Sequence, residues 1–555
     1  MPRIFFAFAL FLVPAGVCAK GPVTSADPRA TAAGMEILRD GGSATDAALA
    51  MMLALTVVEP QSSGIGGGGF IVYHDLKRGK MGTIDGREIA PASATPQLFL
   101  NAEGKAMGFR EAVPGGRSVG IPGNIALAAK AHGKWGKLKW SRLFDPAIKL
   151  AEEGYVVTPR LAAVLGSVKP LWPDFPAARA IYWQDGRPKV AGETIRNLEL
   201  AALLRSVAKR GPKAFYSGKN AQAIIDAAGK SVRNPTVITA ADIAGYQAKE
   251  RAPLCMAYRV YKLCGMGPPS SGATTVFQIL GLIERFDMKA LGKDNPKSWH
   301  LIGQAMRLAY ADREKYLGDP AFVSVPAAGL LDKTYLASRS ATISDTASLA
   351  KYEAGTPPGA LPRTAGLSGE VSGTTHFIAV DGSGNVASMT STVEGPFGSQ
   401  LIANGYVLNN ELTDFTALPE KDGALVANRV QAGKRPVSSM SPTIVYNAKG
   451  EPIFTVGAAG GKRIIMQVTK TLIAHLDWDL PVDQALAAPN IYFGGDALLI
   501  ESNTPLAAMA GALAAFGTTV VQTDLMPSKA NAAERTATGW RAAADPRSDG
   551  NALSE

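Results

Sequence analysis

The sequence predicts a layered protein of the α/β or α+β class, in which helices cover a sheet. Helical patterns dominate the first part and the middle of the chain, and strand-like segments joined by tight turns follow before a helical tail. The 555 residues, 46% hydrophobic and 19% charged, can bury a sizeable core. This composition excludes a single small module and a disordered chain.

Helices are predicted by their apolar patterns in two regions. Asp27 to Gly41 and Ala44 to Val58 form the first pair, and the second of them is mostly apolar and therefore buried. The middle of the chain, from Ser118 to about Leu336, is rich in amphipathic patterns. The candidates there are Asn124 to His132, Leu143 to Glu153, Asn197 to Lys209, Ala221 to Gly229 and Val276 to Arg285.

A glycine cluster from Ser62 to Phe70 precedes a predicted strand, FIVYHD. Gly64 to Gly69 satisfy the pattern G-x-G-x-x-G, but a dinucleotide site needs a strand before the glycines and a helix after them. Here the order is helix, glycines, strand. The cluster is therefore interpreted as a loop where backbones approach closely.

The character of the chain changes in a predicted flexible linker from Asp345 to Gly373, where 14 of 29 residues are Gly, Pro, Ser or Thr. Strands with tight turns follow it. They are THFIAVD, VASMTSTV, PTIVYN and PIFTVG, at 375–381, 386–393, 442–447 and 452–457.

The charge of +10 and the pI near 9.3 favour anionic small molecules or surfaces as neighbours. No Lys/Arg run has the length of a nucleic-acid-binding tail, and His132 to Trp140, a mixture of basic and aromatic residues, is more typical of a solvated loop joining helices. Five histidines lie far apart without metal-ligand spacing, which argues against zinc. No nucleic-acid partner and no metal are expected.

The first 19 residues have the pattern of a secretory signal peptide: Arg3, an apolar run from Ile4 to Val17, and small residues up to a cleavage site after Ala19. No later run of about 18 apolar residues could form a membrane anchor. An exported protein, periplasmic or extracellular, is expected. Its two remaining cysteines, Cys255 and Cys264, suit neighbouring strands of a hairpin, where a disulfide or two free buried thiols are both possible.

The candidate site is Ser372 to His376, SGTTH, where the linker meets a predicted strand. A hydroxyl is a poor nucleophile until a base takes its proton, and an N-terminal threonine supplies that base from its own α-amine. Such a site forms only after the chain is cut immediately before Thr374.

Nine segments, among them the candidate site itself, resemble the gamma-glutamyltranspeptidase family, whose members are N-terminal-nucleophile hydrolases that cleave their own precursor. The segments occur in family order along nearly the whole mature chain. They are GGSATDAALA (41–50), VVEPQSSGIGGGGF (57–70), DGREIAP (85–91), GPPSSGATT (267–275), SGTTHF (372–377), LNNELTDF (408–415), RPVSSMSPTIV (435–445), GAAGGKRI (457–464) and ADPR (544–547).

The resemblance implies a four-layer αββα sandwich built by two processed subunits. The large subunit would run from residue 20 to 373, with the linker at 345–373 as its end, and the small subunit from 374 to 555. The two subunits of one precursor would form a heterodimer.

The resemblance also implies a role for each matching residue. Thr374 would be the nucleophile, Thr392 would bond to it, and the N–H groups of Gly460 and Gly461 would stabilise the oxyanion. Arg87 would hold the substrate α-carboxylate together with Ser438 and Ser439. Glu411 and Asp414 would take the α-ammonium.

One position departs from the best-known members. Glu394 replaces an asparagine near the α-amino group, so three carboxylates would surround one ammonium unless one is protonated or paired, for example with Lys434 or Arg435. The segment from Phe415 to Pro436, which corresponds to a covering loop, is fairly short. An open, water-accessible site is therefore expected.

The expected activity is hydrolysis and transfer of the γ-glutamyl group of glutathione or a related compound, with water or an amine as acceptor and no cofactor. An amide acylase of the same fold, acting on glutaryl groups of β-lactam precursors, is the alternative that Glu394 supports. A catalytically inactive binding homologue is a second alternative, and it would keep an uncut chain.

Overall fold

An inner strand of the first sheet, Thr375–Val380, begins immediately after Thr374, and both neighbouring strands pair with it antiparallel. The computed structural model describes residues 21–366, 369, 373–524 and 528–555. The predicted signal peptide and parts of the predicted linker, 367–368 and 370–372, lie outside the described residues. Within the described residues this sheet has seven strands, all antiparallel to their neighbours. In spatial order they are Asn551–Leu553, Val23–Ser25, Thr375–Val380, Val386–Thr392, Gly68–Asp75, Lys80–Asp85 and Lys249–Arg251.

A second antiparallel sheet packs against the first. The described residues form six strands there. In spatial order they are Gly539–Ala544, Asn531–Thr536, Pro452–Gly457, Thr443–Tyr446, Tyr261–Gly265 and Leu254–Tyr258.

The alternation along the strand Gly68–Asp75 explains why the two sheets face each other. Ile71 and Tyr73 pack in the core beneath one helical layer, whereas Phe70 and Val72 pack in the core that contains the second sheet. Because successive side chains of a strand point to opposite faces, a strand that is apolar on both faces must be covered on both.

One helical layer covers the outer face of the first sheet. Its helix Ala44–Val58 is buried at all 15 residues, and Ser43 and Asp46 form a capping box at its start. A helix that is apolar all round needs neighbours on every side. The other helices of this region are Pro28–Arg39, Asn124–Trp135, Asp145–Glu153, Pro159–Val168, Pro176–Tyr182, Leu198–Arg210 and Gly218–Gly229.

The second helical layer packs with the second sheet in one continuous core. Its helix Pro296–Tyr316 is the longest in the described part of the chain, and the sequence patterns did not single it out. The other main helices of this layer are Gly272–Ile283, Lys333–Ser340 and Arg463–Leu476. Two sheets between two helical layers confirm the predicted αββα sandwich.

Short elements complete the described structure. A small sheet contains Ile491–Gly494, Ala497–Glu501 and Val520–Thr523. Two-stranded pairs are Tyr155–Val156 with Thr194–Ile195, Trp183–Gln184 with Arg187–Pro188, Ile402–Ala403 with Tyr406–Val407, and Glu420–Lys421 with Ala424–Leu425. Short helices are Phe109–Ala112, Lys213–Tyr216, Ala240–Ala244, Met288–Leu291, Ala327–Leu330, Val482–Ala487 and Ala510–Ala514, with 3-10 turns at Gly116–Ser118, Trp140–Phe144, Trp172–Asp174, Glu411–Asp414 and Ala507–Met509.

The two cysteines form a disulfide. Cys255 and Cys264 lie opposite each other on paired strands of the second sheet, as their positions in a hairpin require. Of the helices that the structure describes, none combines the length and the apolar character needed to cross a bilayer.

The described part of the linker, 345–366, contains no helix or strand, which agrees with its composition. It is nevertheless anchored along its length. The main chain of Ser348 bonds to Phe516, that of Gly355 bonds to Asp312 and Tyr316, and that of Gly366 bonds to Glu314. The segment 345–366 therefore lacks helices and strands but is held in place by hydrogen bonds.

Candidate active site

Thr374 lies at the junction between the linker and the strand Thr375–Val380, with a backbone angle φ of +79°. This left-handed conformation is strained for a β-branched residue. Its N–H donates to the carbonyl oxygen of Ser62 at 2.8 Å. A Cβ added at Gly373 would lie 1.9 Å from the carbonyl oxygen of Glu394, so only glycine fits before the threonine. The geometry of the junction therefore requires the glycine, and it places the threonine in a strained conformation.

Thr392 ends the strand next to Thr375–Val380 and meets the candidate nucleophile. Its Oγ1 is 3.0 Å from Oγ1 of Thr374, and it also accepts a hydrogen bond of 2.8 Å from the N–H of Glu394. Because the Thr392 hydroxyl accepts that N–H, its own proton can point to Thr374. This contact matches the role expected from the resemblance.

The backbone of the glycine cluster, 62–70, lies directly against the backbone of these two threonines. A Cβ at Gly67 would lie 1.9 Å from the carbonyl oxygen of Thr392, and one at Gly66 would lie 2.0 Å from that of Val407. The carbonyl of Ser62 also accepts the N–H of Val393, at 3.2 Å. The interpretation of the cluster as a site of close backbone approach is confirmed.

Gly460 and Gly461 connect the strand Pro452–Gly457 to the helix Arg463–Leu476. Both have positive φ angles, 135° and 60°, a conformation in which glycine avoids strain. Gly461 lines the same cavity as Thr374. A turn before a helix N-terminus presents backbone N–H groups, which suits an oxyanion site.

Arg87 lies at the other end of the cavity and is 1% exposed. Its guanidinium forms ion pairs with Glu411 through Nη1 and with Asp414 through Nη2. It also donates to the carbonyl oxygens of Pro436, at 3.2 Å, and Val437, at 2.7 Å. Burial alone would lower the pKa of Arg87, but the neighbouring carboxylates raise it above its ordinary value. The arginine is thus a fixed cation.

Glu88 adds a further buried carboxyl group beside this cluster, 3.7 Å from Nη1 of Arg87. Burial, followed by the negative charge of Glu411, raises the pKa of Glu88 well above its usual range. Neither of its carboxyl oxygens has a hydrogen-bond partner within the described residues. Glu88 therefore keeps its proton to a higher pH than an exposed glutamate does.

Glu394 lies close to the nucleophile, with φ at +77°, and its Oε2 accepts a 2.6 Å hydrogen bond from Asn410. The suggested pairing with Lys434 or Arg435 is wrong. Lys434 donates to the carbonyl oxygens of Ala427 and Arg429, while Arg435 lies 3.3 Å from Asp85. Both cations belong to the supports of the covering segment rather than to the cavity.

Ser438 and Ser439 also reach the cavity. The carbonyl oxygen of Ser438 accepts bonds from the N–H and the hydroxyl of Ser271, at 2.6 and 2.7 Å. The hydroxyl of Ser439 accepts a 2.8 Å bond from Arg313. Ser271, from the segment GPPSSGATT, thus braces Ser438, and Arg313 braces Ser439.

These residues enclose one cavity of only about 20 Å³. Its lining contains every predicted site residue except Gly460: Thr374, Thr392, Gly461, Arg87, Glu394, Glu411, Asp414, Ser438 and Ser439, with Met440 and Ile464. Among the charged side chains of this lining, one guanidinium faces three carboxylates. Among the described residues, those of the cavity included, no group of three or more His, Cys, Asp or Glu side chains is arranged to hold a metal ion.

The segment that corresponds to the covering loop, 415–436, is short but attached to its surroundings by several hydrogen bonds, and the open site expected from its length stays a prediction. Asn428 donates to the carbonyl oxygen of Asp414 and accepts the N–H of Val437. The main chain of Ala90 bonds to both Gly433 and Lys434. These contacts join the segment to both sides of the cavity, and length alone did not reveal them.

Sequence reasoning missed a buried ion pair behind Thr374. Lys529 donates to Oε1 of Glu59 at 2.9 Å and to the hydroxyl of Ser62 at 2.8 Å. The other oxygen of Glu59 accepts the hydroxyl of Thr375 at 2.5 Å. Glu59 and Ser62 belong to the segment VVEPQSSGIGGGGF, so an acid in this otherwise apolar and glycine-rich stretch was the available signal. No motif marked Lys529.

A sandwich of two antiparallel sheets between helical layers, with a threonine at the start of an inner strand, defines the fold of the N-terminal-nucleophile hydrolases. The sequence matches the family model of Gamma-glutamyltranspeptidase over residues 30–554. The chain belongs to the gamma-glutamyltranspeptidase family.

Individual relatives extend the similarity over most of the chain. The glutathione hydrolase proenzyme of Escherichia coli (strain K12) is 38% identical over 483 residues, covering 85% of this chain and 81% of that protein. The Acylase ACY 1 proenzyme of Pseudomonas sp. (strain SE83) is 35% identical over 543 residues, covering 95% and 93%. The crystal structure of cephalosporin acylase from Bacillus halodurans has a TM-score of 0.85 at 27% identity and covers 99% of each chain.

Proposed function

We propose that this protein is an exported gamma-glutamyl hydrolase and transferase that matures by cutting its own chain before Thr374. The observation that carries the proposal is the placement of the Thr374 hydroxyl, 3.0 Å from Thr392, in one cavity with Arg87 and three carboxylates. A nucleophile and a set of charges suited to an amino acid share the same enclosed space.

Maturation uses the strained junction. Oγ1 of Thr374 attacks the carbonyl carbon of Gly373, the peptide C–N bond breaks, and the nitrogen keeps the proton that the hydroxyl loses. Water then hydrolyses the resulting ester, which leaves a carboxylate on Gly373 and both a free hydroxyl and an α-amine on Thr374. The positive φ of Thr374 raises the energy of the uncut chain and so favours the cut.

The two products, 20–373 and 374–555, form a noncovalent heterodimer. The first sheet supports this arrangement, because Thr375–Val380 pairs with Val23–Ser25, and Val386–Thr392 pairs with Gly68–Asp75. Strands of one sheet would therefore come from both products. Separating the products would expose both the core and the strand edges.

Acyl transfer reuses the same hydroxyl. The α-amine of Thr374 takes the hydroxyl proton, Oγ1 attacks the γ-carbonyl carbon of the donor, and the N–H groups of Gly460 and Gly461 stabilise the oxyanion. The amine product leaves with a proton, and water or an acceptor amine then attacks the ester. These steps need no cofactor.

Arg87 holds the α-carboxylate of the donor, assisted by Ser438 and Ser439. Glu411 and Asp414, which pair with Arg87 in this structure, take the α-ammonium of the donor. Glu394 lies on the nucleophile side of the same cavity. A γ-glutamyl donor brings both an ammonium and a carboxylate, so it adds no net charge to an acid-rich cavity. A glutaryl donor would add one more carboxylate and lacks the ammonium that relieves the repulsion.

A glutaryl amide acylase is the second candidate. One observation favours it: the similarity to Acylase ACY 1 covers 95% of this chain. The carboxylate of Glu394, which the sequence suggested as support, would repel an anionic glutaryl group rather than attract it. The charge balance of the cavity supports the γ-glutamyl donor more strongly.

The proposal of export depends on the signal-like pattern of residues 1–19. The Cys255–Cys264 disulfide supports it, because disulfides persist in oxidising compartments. Periplasmic and culture-medium fractions of cells that express the full chain should contain the protein, with its N-terminus at Lys20. Retention in the cytoplasm with Met1 intact would contradict export.

The purified protein provides the decisive test of the function. A denaturing gel should show two bands, and Edman sequencing of the smaller band should begin Thr-Thr-His. The same sample should release the amine from γ-glutamyl anilide faster than from glutaryl anilide. A single uncut band without release from either anilide would instead identify an inactive binding homologue, and faster release from glutaryl anilide would identify the acylase.

A further inference from the structure

The buried pair Lys529 and Glu59 contacts the hydroxyl groups of two residues that adjoin the candidate nucleophile, Ser62 and Thr375. On one side Lys529 donates to the hydroxyl of Ser62, whose carbonyl oxygen accepts the N–H of Thr374 at 2.8 Å. On the other side Glu59 accepts the hydroxyl of Thr375, the residue that follows the nucleophile. One ion pair therefore contacts both Ser62, which binds the N–H of Thr374, and Thr375, which follows Thr374 in the chain.

The cost of burying this pair indicates a role beyond stability. Lys529 and Glu59 are each 4% exposed, and a buried ion pair usually contributes no more to stability than well-packed apolar side chains would. Burial lowers the pKa of Lys529 to about 8, although Glu59 opposes that shift. The pair lies at the end of the helix Ala44–Val58, where Glu59 is the residue that caps the helix.

We infer that Lys529 and Glu59 are positioning residues, which hold the side chains of Ser62 and Thr375 and so fix the backbone around Thr374 for cleavage and for acyl transfer; the inference rests on the function proposed above. Cleavage converts the N–H of Thr374 into the α-amine that serves as the base. The carbonyl oxygen of Ser62 then accepts a hydrogen bond from this amine, and the hydroxyl bond to Lys529 holds Ser62 in place. Misplacing a reacting group by about 1 Å can cost ~100-fold in rate.

The charges of the pair also act on that amine, in opposite directions. Removing the cation of Lys529 makes protonation of the amine easier, whereas removing the anion of Glu59 makes it harder. Arg87, Glu394, Glu411 and Asp414 face the same amine from the cavity. On the far side Arg160 and Asp549 act on Lys529. These six groups are unchanged in both variants, so they cancel in the comparison.

The test compares Lys529→Met, Glu59→Gln and their double variant with Lys470→Met. Lys470 is a matched control, because it is a buried lysine that donates to the carbonyl oxygens of Leu486 and Ala488, away from the cavity. Steady-state kinetics on γ-glutamyl anilide should show kcat lowered by about 10- to 100-fold in Lys529→Met, with KM within about twofold of wild type. Lys470→Met should lower Tm without this loss of kcat.

The pH profile of kcat/KM separates positioning from simple loss of stability. Its acid limb should move to higher pH in Lys529→Met and to lower pH in Glu59→Gln, by about half a unit or more, and return toward wild type in the double variant. If processed Lys529→Met keeps kcat within about twofold and an unmoved acid limb, the inference is overturned. If it does not fold, Ser62→Ala removes only the acceptor hydroxyl, and a kcat within about twofold of wild type then overturns the inference.

Failure of the proposed function gives a different pattern. A wild-type protein that cuts itself but does not release amine from γ-glutamyl anilide disproves the donor, not the positioning role. The rate of precursor cleavage then decides, because Lys529→Met should cleave at least about tenfold more slowly than Lys470→Met. Equal cleavage rates in these two variants would overturn the inference.

Discussion

The two ends of the cavity are held by different kinds of contact. Around Thr374 the contacts are hydrogen bonds between hydroxyl and backbone groups, and the ion pair behind it matches one cation with one anion. Around Arg87 a single guanidinium meets the carboxyl groups of Glu88, Glu411 and Asp414. Apart from Glu394, which lies between the two ends, the first end is balanced in charge, and the second carries an excess of acid.

This difference separates reaction from recognition. A balanced, hydrogen-bonded nucleophile needs little rearrangement before it reacts. An acid-rich pocket favours a substrate that brings a positive charge, because like charges in a buried site repel strongly. The substrate ammonium would therefore complete the Arg87 end, whereas the Thr374 end is assembled by the protein itself.

Removing the nucleophile should have the largest effect. Thr374→Ala should leave the precursor uncut, with amine release at the background rate, because both reactions need the same hydroxyl. The gel and the anilide assay measure the two consequences together. Thr374→Ser is the matched control: it keeps the hydroxyl and should still cut and react. An Ala variant that cuts and reacts would show that the reaction end lies elsewhere.

Weakening the recognition end should have the next largest effect. Arg87→Lys should raise KM for γ-glutamyl anilide by about 10- to 100-fold, because an ammonium cannot reproduce several charge-assisted bonds worth ~1.5 to 3 kcal/mol each. Initial-rate kinetics across donor concentrations measure the change. Arg259→Lys, which alters a contact with Asp477 far from the cavity, should leave KM unchanged. A KM within about twofold of wild type would remove Arg87 from carboxylate binding.

A smaller effect is expected where the two ends meet, at Glu394. Glu394→Asn should shift the ratio of kcat/KM for γ-glutamyl over glutaryl anilide toward glutaryl by about fivefold, or ~1 kcal/mol, since the ammonium loses one neighbouring carboxylate. Glu420→Asn, an exposed acid on the covering segment, is the control and should leave the ratio unchanged. A shift toward γ-glutamyl donors would show that Glu394 does not attract the ammonium.

The smallest expected effect is on stability. The pH dependence of stability has opposite signs at the two ends of the cavity. The pKa of Glu88 is raised in the folded protein, so the folded state binds more protons than the unfolded state above pH ~4.5, and stability falls as pH rises. Glu88→Gln does not titrate. Its Tm should therefore exceed that of wild type by a few degrees at pH 8, and the difference should shrink toward pH 4.5. A constant difference would contradict a protonated Glu88.

His376 provides the opposite dependence at the Thr374 end. Burial lowers its pKa to about 3, and it stays neutral between Thr390 and Ser388. The unfolded state binds more protons below pH ~6.5, so this contribution to stability is lost as pH falls toward 3. The Tm of Glu88→Gln should therefore still fall as the pH is lowered from ~6.5 toward 3. A Tm that no longer fell on the acid side would show that Glu88 and His376 do not titrate independently.

Much of the sandwich follows from local pattern. The apolar run at Ala44–Val58 predicted its helix to the residue, and the strands after the linker begin and end within two residues of the predicted limits. The helix Pro296–Tyr316 was not singled out, because its apolar residues alternate with several charged ones. Its burial depends on tertiary packing that no short window contains.

The candidate site was predictable as a set of residues but not as a set of contacts. The family resemblance identified nine side chains or glycines that the structure places in one cavity. It did not predict that Arg87 would pair with Glu411 and Asp414, because these residues lie more than 300 positions apart. Lys529 was missed for the same reason, since only the folded chain places it beside Glu59.

The left-handed conformation of Thr374 also makes the proposed cleavage hard to reverse. The angle φ of a residue includes the carbonyl carbon before it, so the restraint vanishes once the bond from Gly373 is broken. Resealing would have to rebuild a conformation that costs ~1 to 3 kcal/mol, which disfavours it by about 5- to 150-fold in addition to the ordinary cost of forming a peptide bond in water. If the chain is cut before Thr374 as proposed, each molecule would pass from precursor to mature form once, and the cut would show that the precursor had folded.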